Sequence, residues 1–252
     1  MNPFRKNNKQ LSIFVTAGFP ELNALPSQIE FSQSKGIDFI EVGIPFSDPM
    51  ADGPTIQESS EIALKNGMNV GLMFEQLATV NVNIPLVIMS YFNPIMHYGL
   101  ERFLKQCKSC GIAHVILPDI SMEVYKKLYR TTFEKYGVTL CFLITPSTSS
   151  DRISKMSSLS SNGFLYLVSS NMTTGNSVKS ASVSEEDVKR IREAAGDTPM
   201  MIGFGIKSRG DVLEAQKNAD GAIIGSAYIR ALSEGRQEEF ISSVSSPELQ
   251  NL

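Results

Sequence analysis

Eight short apolar runs, separated by amphipathic stretches, constrain the fold of this chain more than any other feature. Their hydrophobicity is nearly continuous rather than alternating, which is typical of strands covered on both faces, as in parallel sheets. The intervening stretches have helical spacing, and three of them end on a glycine that suits a helix C-cap. The runs cover residues 11–18, 37–43, 84–91, 113–119, 137–145, 163–170, 199–205 and 220–226. Eight strand and helix units in 252 residues favour an α/β fold of the (β/α)8 TIM-barrel type over a doubly wound sheet.

Length and composition favour a single TIM-barrel domain over residues 1–252. A hydrophobic content of 42% is enough for one large core. The serine-rich segment 149–163 carries helical spacing through Ile153, Met156 and Leu159, so we place it in the barrel rather than in a linker. The formal net charge of -3 gives no broad basic surface for nucleic acid or an anionic membrane. With no apolar run long enough to span a bilayer and no signal-peptide core, we expect a cytoplasmic protein.

The segment EVGIPFSDPMADGPTIQ, residues 41–57, places Glu41 near the end of the second apolar run and Asp48 and Asp52 shortly after it. Strand alternation puts Phe39, Glu41 and Gly43 on one face, and the chemistry of such barrels lies at the carboxyl ends of the strands. A carboxylate pointing into an apolar barrel mouth has a raised pKa, which suits it to proton transfer near neutral pH. A structural ion pair with a basic residue of a neighbouring strand fits Glu41 equally well, and this pattern leaves both interpretations open.

The two aspartates of this segment have an ordinary structural explanation. Aspartate beside proline and glycine is typical of turns and helix N-termini. The order Asp52, Gly53, Pro54 predicts a helix start, with the proline at the first helical position, where no amide donor is needed. Local rules alone therefore leave the roles of Asp48 and Asp52 undecided.

Two glycine-containing loops follow the seventh and eighth predicted strands. They place Gly203, Gly205, Gly225 and Ser226 where barrels of this type commonly hold a phosphate group with backbone amides and the N-terminus of a short helix. A tight turn or a bulge is the alternative for each loop taken alone. Two such loops in adjacent positions favour a phosphate site, and amide donors there need no lysine.

The cysteines and histidines do not indicate a metal site. Cys107 and Cys110 form a CxxC pair without a second pair to complete a zinc site, so we interpret them and Cys141 as reduced structural cysteines. His97 and His114 have no second histidine or cysteine at ligand spacing. We therefore expect no metal in this chain.

The segment 41–57, together with FVTAG, MSYFNP, LPD, TPSTSSDRI, GFGI and IIGSA in this order, resembles the alpha subunits of tryptophan synthase over roughly residues 11–235. The resemblance implies a lyase that splits indole-3-glycerol phosphate into indole and glyceraldehyde 3-phosphate by a retro-aldol reaction. In that family Glu41 corresponds to the general acid and base, and Asp52 to the aspartate that accepts a hydrogen bond from the indole N–H. Another phosphate-binding barrel, such as an isomerase or epimerase, would leave this signature unexplained.

The resemblance also implies further site residues and a partner. Tyr91, Tyr166 and Thr174 correspond to substrate-binding positions, although plain core packing is the alternative for both tyrosines. The implied phosphate-binding residues are Gly175, Gly205, Gly225 and Ser226, with Gly203 as a support. The implied partner is the beta subunit of an alpha2-beta2 assembly, contacted through Asp48, Asn93 and Pro94. No cofactor is expected in this chain, since pyridoxal phosphate belongs to the beta subunit.

The loop after the sixth predicted strand departs from the family pattern. It carries Ser170, Met172 and Thr173 where many family members have arginine, glycine and valine, whereas Thr174 and Gly175 are retained. A side chain at a position that needs positive φ is costly, and closure of such a loop excludes water from the site. Two hypotheses follow: a working lyase, or a catalytically impaired alpha subunit that mainly activates the beta subunit.

Overall fold

The computed structural model describes residues 2–168, 184–203 and 205–245. The strands within these ranges are all parallel and belong to one sheet. They are β1 (Gln10–Thr16), β2 (Phe39–Gly43), β3 (Leu86–Met89), β4 (His114–Ile116), β5 (Thr139–Cys141), β6 (Leu143–Ile144), β7 (Leu165–Leu167), β8 (Met200–Ile202) and β9 (Gly221–Ile224). Each overlaps one of the eight apolar runs, and only β1 extends beyond its run, by one residue, so the strand prediction is confirmed.

The order of the strands shows a nearly closed barrel. The sheet runs β5-β4-β3-β2-β1-β9-β8-β7-β6, so its two outer strands are neighbours in the chain. Only Phe142 separates β5 from β6, and its carbonyl oxygen accepts a hydrogen bond from the backbone N–H of Tyr166 at 2.9 Å. β5 and β6 are therefore two parts of the predicted fifth strand, interrupted at one residue. The predicted (β/α)8 TIM barrel is confirmed.

Helices fill the connections between the strands. They are α1 (Leu25–Ser34), α2 (Pro54–Lys65), α3 (Val70–Leu77), α4 (Phe92–Tyr98), α5 (Leu100–Ser109), α6 (Met122–Val124), α7 (Arg130–Tyr136), α8 (Ser150–Leu159), α9 (Glu185–Ala195), α10 (Arg209–Asn218), α11 (Ser226–Ser233) and α12 (Gln237–Ser245). A π-helical segment, Tyr125–Tyr129, joins α6 to α7. None of the helices in the described ranges is long and apolar enough to cross a membrane.

Serine side chains start several helices. Ser149, Ser184 and Ser208 each accept a hydrogen bond from a backbone N–H of the first turn that follows, which satisfies a donor left free at a helix N-terminus. Ser149 starts α8, which confirms that the serine-rich segment is part of the barrel. Asp211 completes a capping box with Ser208 at the start of α10.

Two apolar clusters lie on opposite sides of the strands. The larger packs the barrel against its helices and contains Ile40 and Val42 of β2. The smaller fills the barrel interior and contains Phe39 of β2, with Phe4 packed against it at a ring distance of 5.1 Å. The face predicted for Phe39 and Glu41 is therefore the inner one. It directs Glu41 toward the end of the barrel at which the strands finish.

Candidate active site

A cavity of about 310 Å³ opens at the carboxyl ends of the strands. Its wall combines an apolar surface with two carboxylates, glycine-rich loops and two basic side chains. Its lining residues include Phe14, Glu41, Asp52, Ile56, Met89, Leu143, Tyr166, Gly203, Gly205, Lys207, Gly225, Ser226 and Arg230. The structure thus brings both predicted carboxylates and three of the predicted phosphate-binding residues to one cavity.

Glu41 lies on β2 and is almost completely buried, with 1% of its surface exposed. Parallel pairing sets it beside Phe14 of β1 and Val87 of β3. Its buried Oε1 has no hydrogen-bond partner among the described residues. Loss of hydration raises the pKa of Glu41 to about 8, and the nearby charge of Asp52 adds to the rise. The described residues provide no ion pair for Glu41, so the structural interpretation left open by its sequence position has no support here.

Asp52 stands at the start of α2, two residues before its first helical residue. Gly53 is the N-cap and Pro54 occupies the first helical position, which confirms the predicted helix start. Burial raises the pKa of Asp52 to about 6, and a hydrogen bond with Tyr91 acts in the opposite direction. At neutral pH Asp52 is therefore mainly ionised, whereas Glu41 is mainly protonated.

Tyr91 is buried behind the loop that carries Asp52. Its hydroxyl oxygen accepts a hydrogen bond from the backbone N–H of Ala51 at 2.8 Å, and its ring packs on Phe46 at 5.3 Å. The residue after Tyr91 is Phe92. Its backbone N–H donates to both carboxylate oxygens of Asp119, each at 3.0 Å. Tyr91 is not among the residues that line the cavity, so its predicted contact with substrate stays a prediction.

Tyr166 lies on β7 and does line the cavity. Its side chain is buried, and the pKa of its hydroxyl is raised by loss of hydration and by the charges of Glu41 and Asp52. A Cβ added to Gly203 would lie 1.8 Å from the Tyr166 hydroxyl oxygen. Glycine is therefore needed at 203 to make room for this tyrosine. The predicted support of the phosphate site by Gly203 stays a prediction.

The opposite side of the cavity is formed by the ends of β8 and β9. Gly205 has φ of +74°, which favours glycine, and Gly225 is the N-cap of α11, whose first residue is Ser226. Backbone N–H groups at a helix N-terminus bind anions well. Gly205, Gly225 and Ser226 line the same cavity as Glu41 and Asp52, and the phosphate site predicted for them stays a prediction.

The lining residues that were not identified from the sequence include Phe14, Lys207 and Arg230. Phe14 follows from register, since it pairs with Glu41. Arg230 stands four residues after Ser226 on α11, and this spacing places the two on one helix face. Lys207 lies two residues after Gly205, and no pattern in the sequence indicates that it lines the cavity.

The predicted partner residues lie outside this cavity, on the loop after β2 and at the start of α4. Asp48 lines a surface groove with Met50, of which 92% is exposed. Asn93 and Pro94 line a neighbouring groove, which also contains Phe46. The loop after β2 thus contributes to the cavity through Asp52 and to both grooves through Phe46.

Some predicted residues lie outside the described part of the chain. These are Ser170, Met172, Thr173, Thr174 and Gly175. Their predicted roles in the lid and in substrate and phosphate binding stay predictions.

In the ranges that the structure describes, no group of three or more histidine, cysteine or acidic residues could hold a metal ion. Cys107, Cys110 and Cys141 are free cysteines. His114 is buried, and one of its ring nitrogens lies 2.8 Å from the carbonyl oxygen of Asn162. Burial lowers the pKa of His114.

The chain is similar to tryptophan synthase alpha chains over almost its whole length. A family model described as tryptophan synthase alpha chain matches residues 2–250. The tryptophan synthase alpha chain of Flavobacterium psychrophilum is 49% identical over 232 residues, which are 91% of each chain. That of Bacteroides thetaiotaomicron is 42% identical over 239 residues, covering 94% of this chain and 93% of the relative.

Solved structures are similar over the same range. A chain of tryptophan synthase from Mycobacterium tuberculosis superposes with a TM-score of 0.84 at 29% identity, covering 94% of this chain and 91% of that one. A mutant tryptophan synthase alpha-subunit from Pyrococcus furiosus gives a TM-score of 0.83 at 28% identity, covering 96% and 98% of the two chains. The sequence comparison and the structure comparison therefore both identify tryptophan synthase alpha chains as relatives.

Proposed function

Since this chain belongs to the tryptophan synthase alpha chain family, the indole-3-glycerol-phosphate lyase of tryptophan biosynthesis, we propose that Glu41 and Asp52 carry out its cleavage reaction. The reaction splits indole-3-glycerol phosphate into indole and glyceraldehyde 3-phosphate. Both carboxylates line the same cavity and differ in protonation at neutral pH. A pair of carboxyl groups whose environments separate their pKa values is typical of acid and base catalysis.

The observation that carries the proposal is the state of Glu41. It is buried, its Oε1 has no partner among the described residues, and its pKa is about 8. A group that holds its proton at pH 7 and faces an apolar cavity can donate that proton to a carbon atom of a bound ring. General acid and base catalysis of this kind contributes roughly 10² to 10⁴ in rate.

The proton transfers balance within one catalytic cycle. Protonated Glu41 donates its proton to C3 of the indole ring, which leaves a carboxylate. That carboxylate then accepts the proton of the hydroxyl group on the adjacent glycerol carbon. The bond between C3 and that carbon breaks, its electron pair returns to the ring to give indole, and the hydroxyl carbon becomes the aldehyde. Glu41 ends the cycle protonated, as it began.

Asp52 is proposed to stabilise charge on the indole ring and to take no part in the proton transfers. Protonation of C3 places positive charge on the ring nitrogen, and an ionised carboxylate that accepts the indole N–H hydrogen bond stabilises this charge. The lower pKa of Asp52 suits this role, since the group must be charged while Glu41 is protonated. Tyr166 and the apolar lining would hold the ring between the two carboxyl groups.

The phosphate group is proposed to bind at the other end of the cavity. The backbone N–H groups of Gly205, Gly225 and Ser226 supply donors there, and the N-terminus of α11 adds a favourable dipole. Gly175 and Thr174 complete the phosphate and substrate contacts in the proposal, although both lie outside the described residues.

The family also motivates a proposed complex with the beta subunit. Exposed Asp48 and Met50 lie on the loop that also carries Asp52, and exposed Asn93 lies at the start of α4. Contact there would couple the partner to Asp52 through one short loop, and an alpha2-beta2 assembly is the proposed state. Pyridoxal phosphate is assigned to the beta subunit by the resemblance, and the steps above use only residues of this chain. A cytoplasmic location stays a prediction.

The test is release of indole from indole-3-glycerol phosphate by the purified chain, alone and with a tryptophan synthase beta subunit. We expect turnover by the chain alone and loss of turnover in Glu41→Gln. Undetectable turnover under both conditions, together with stimulated beta activity, would support the impaired subunit instead. The family relationship does not favour that alternative.

A further inference from the structure

Two basic side chains lie at the phosphate end of the cavity. Lys207 follows the Gly205 loop, and Arg230 lies one helical turn after Ser226 on α11. Both side chains are exposed at the rim of the cavity. The sequence alone favoured a phosphate site made of amides, which needs no cation.

Neither cation has a carboxylate partner among the described residues, where ten ion pairs engage other lysines and arginines. A guanidinium Nη1 of Arg230 donates a hydrogen bond to the uncharged hydroxyl of Thr55 at 3.0 Å. The backbone N–H of Lys207 donates a hydrogen bond to the Asp211 carboxylate at 3.1 Å. Both positive charges are therefore free to interact with an anion.

The position of Arg230 links two helices that border the cavity. Thr55 lies in the first turn of α2, which begins just after Asp52, and Arg230 lies on α11, which begins at the phosphate end. The arginine side chain thus joins α11 to α2 beside the cavity that it lines. A guanidinium in this place can donate to a phosphate oxygen as well as to the Thr55 hydroxyl, because it has five N–H donors.

We propose that Lys207 and Arg230 are specificity-determining residues that bind the dianionic phosphate ester of the substrate and favour it over unphosphorylated analogues. The proposal rests on the function proposed above and deepens it. Backbone amides alone contribute partial charges, whereas the two side chains add full positive charges opposite Glu41 and Asp52. Affinity for a phosphate ester therefore depends on these charges and falls as ionic strength rises.

A purely structural role for Arg230 predicts a different result. If the side chain only connects α11 to α2, then Thr55→Val should reproduce the effect of losing the arginine charge. Thr55→Val and loss of the arginine charge should then each change the binding of phosphorylated and neutral ligands equally. Arg230→Lys keeps the charge but changes the hydrogen-bond geometry, so it separates the two roles.

The experiment is calorimetric titration of the full chain with glycerol 3-phosphate and, separately, with glycerol, at two salt concentrations. The variants are Lys207→Gln, Arg230→Gln, the double variant, Arg230→Lys and Thr55→Val. Lys217→Gln is the matched control, because Lys217 is an exposed lysine of α10 that does not line this cavity.

We expect each Gln variant to weaken glycerol 3-phosphate binding about fivefold, a value typical of partly exposed charge pairs, and the double variant to weaken it more. The salt dependence should be smaller in the variants than in the wild type. Arg230→Lys and Lys217→Gln should stay within about twofold of the wild type. Equal binding by the double variant and the control, or no binding of glycerol 3-phosphate by the wild type, would overturn the proposal. A chain that binds glycerol 3-phosphate as expected but releases no indole would instead contradict the proposed function alone.

Discussion

The two ends of the cavity differ in the kind of group that faces a ligand and in how far that group is exposed to solvent. At the carboxylate end, Glu41 and Tyr166 are buried side chains on strands, and loss of hydration raises the pKa of both. At the phosphate end, Gly205 and Ser226 offer backbone groups, and the cations Lys207 and Arg230 stay in contact with solvent. At the carboxylate end, burial in the folded chain sets the protonation state of Glu41 before a ligand binds. At the phosphate end, the charges are compensated only when an anion binds.

This contrast predicts that substitutions at the two ends affect different steps. Changes at the carboxylate end should lower the rate of cleavage and leave binding of a simple phosphate ester intact. Changes at the phosphate end should weaken binding and alter its salt dependence. The predictions below test this separation, beginning with the largest effect.

Glu41→Gln should lower kcat for indole release about 10³-fold, because an amide cannot transfer the proton. Glutamine has nearly the same shape, so the barrel interior should stay packed. Glycerol 3-phosphate should bind this variant within about twofold of the wild type. Steady-state kinetics and calorimetry on one preparation measure both quantities, and an unchanged kcat would reject the acid and base assignment.

Asp52→Asn should lower kcat about 10²-fold, within the range typical for loss of a directed electrostatic contact in a transition state. The amide can still accept the indole N–H hydrogen bond but carries no charge. Asp48→Asn is a suitable control, since Asp48 lies on the outer groove rather than in the cavity. If both variants behaved alike in the isolated chain, the electrostatic role of Asp52 would be untenable.

Gly203→Ala should reduce the free energy of unfolding by about 2 kcal/mol, because a Cβ there would overlap the Tyr166 hydroxyl. Gly225→Ala is the matched control, since its Cβ would meet only the Cβ of Phe14, at 3.9 Å. We expect a change of less than about 0.5 kcal/mol there, with weaker phosphate binding as its main effect. Urea denaturation compares the two, and equal losses would contradict the packing explanation.

Tyr91→Phe should have the smallest effect on rate, a few-fold loss, and should change the pH profile. The hydrogen bond from Tyr91 lowers the pKa of Asp52, so its removal raises that pKa. The charged form of Asp52 would then appear only at higher pH, and the acidic limb of kcat/KM should move upward. Burial acts on the pKa of Asp52 in the opposite direction to Tyr91, and the charge of Asp52 in turn raises the pKa of Glu41 and of Tyr166. A downward move of that limb would contradict the assigned contact.

Much of the fold follows from local patterns in the sequence. Apolar runs located the strands, alternation placed Glu41 on the inner face of β2, and Gly53 with Pro54 marked the start of α2. The interruption at Phe142 has no local signal, because it depends on how two ends of the sheet meet.

The site was less predictable where contacts join distant parts of the chain. Arg230 and Thr55 are 175 residues apart, and no spacing rule connects them. The contact of Tyr91 with Ala51 likewise depends on the packing of two loops, so the residue type suggested only a substrate contact or core packing. The family resemblance identified Glu41 and Asp52 as site residues. Their different pKa values could not be predicted from it, because they depend on the burial of each group in the folded chain.

The protonation state of Glu41 in the free protein tests the central claim most directly. Carbon-13 NMR of the chain labelled at glutamate side-chain carboxyl carbons, with Glu41→Gln to assign the signal, follows this group from pH 4 to pH 9. We predict a protonated carboxyl group at pH 7 and a titration midpoint of about 8. A midpoint near 4.5, the ordinary value for glutamate, would contradict the claim that the barrel holds a proton ready for transfer.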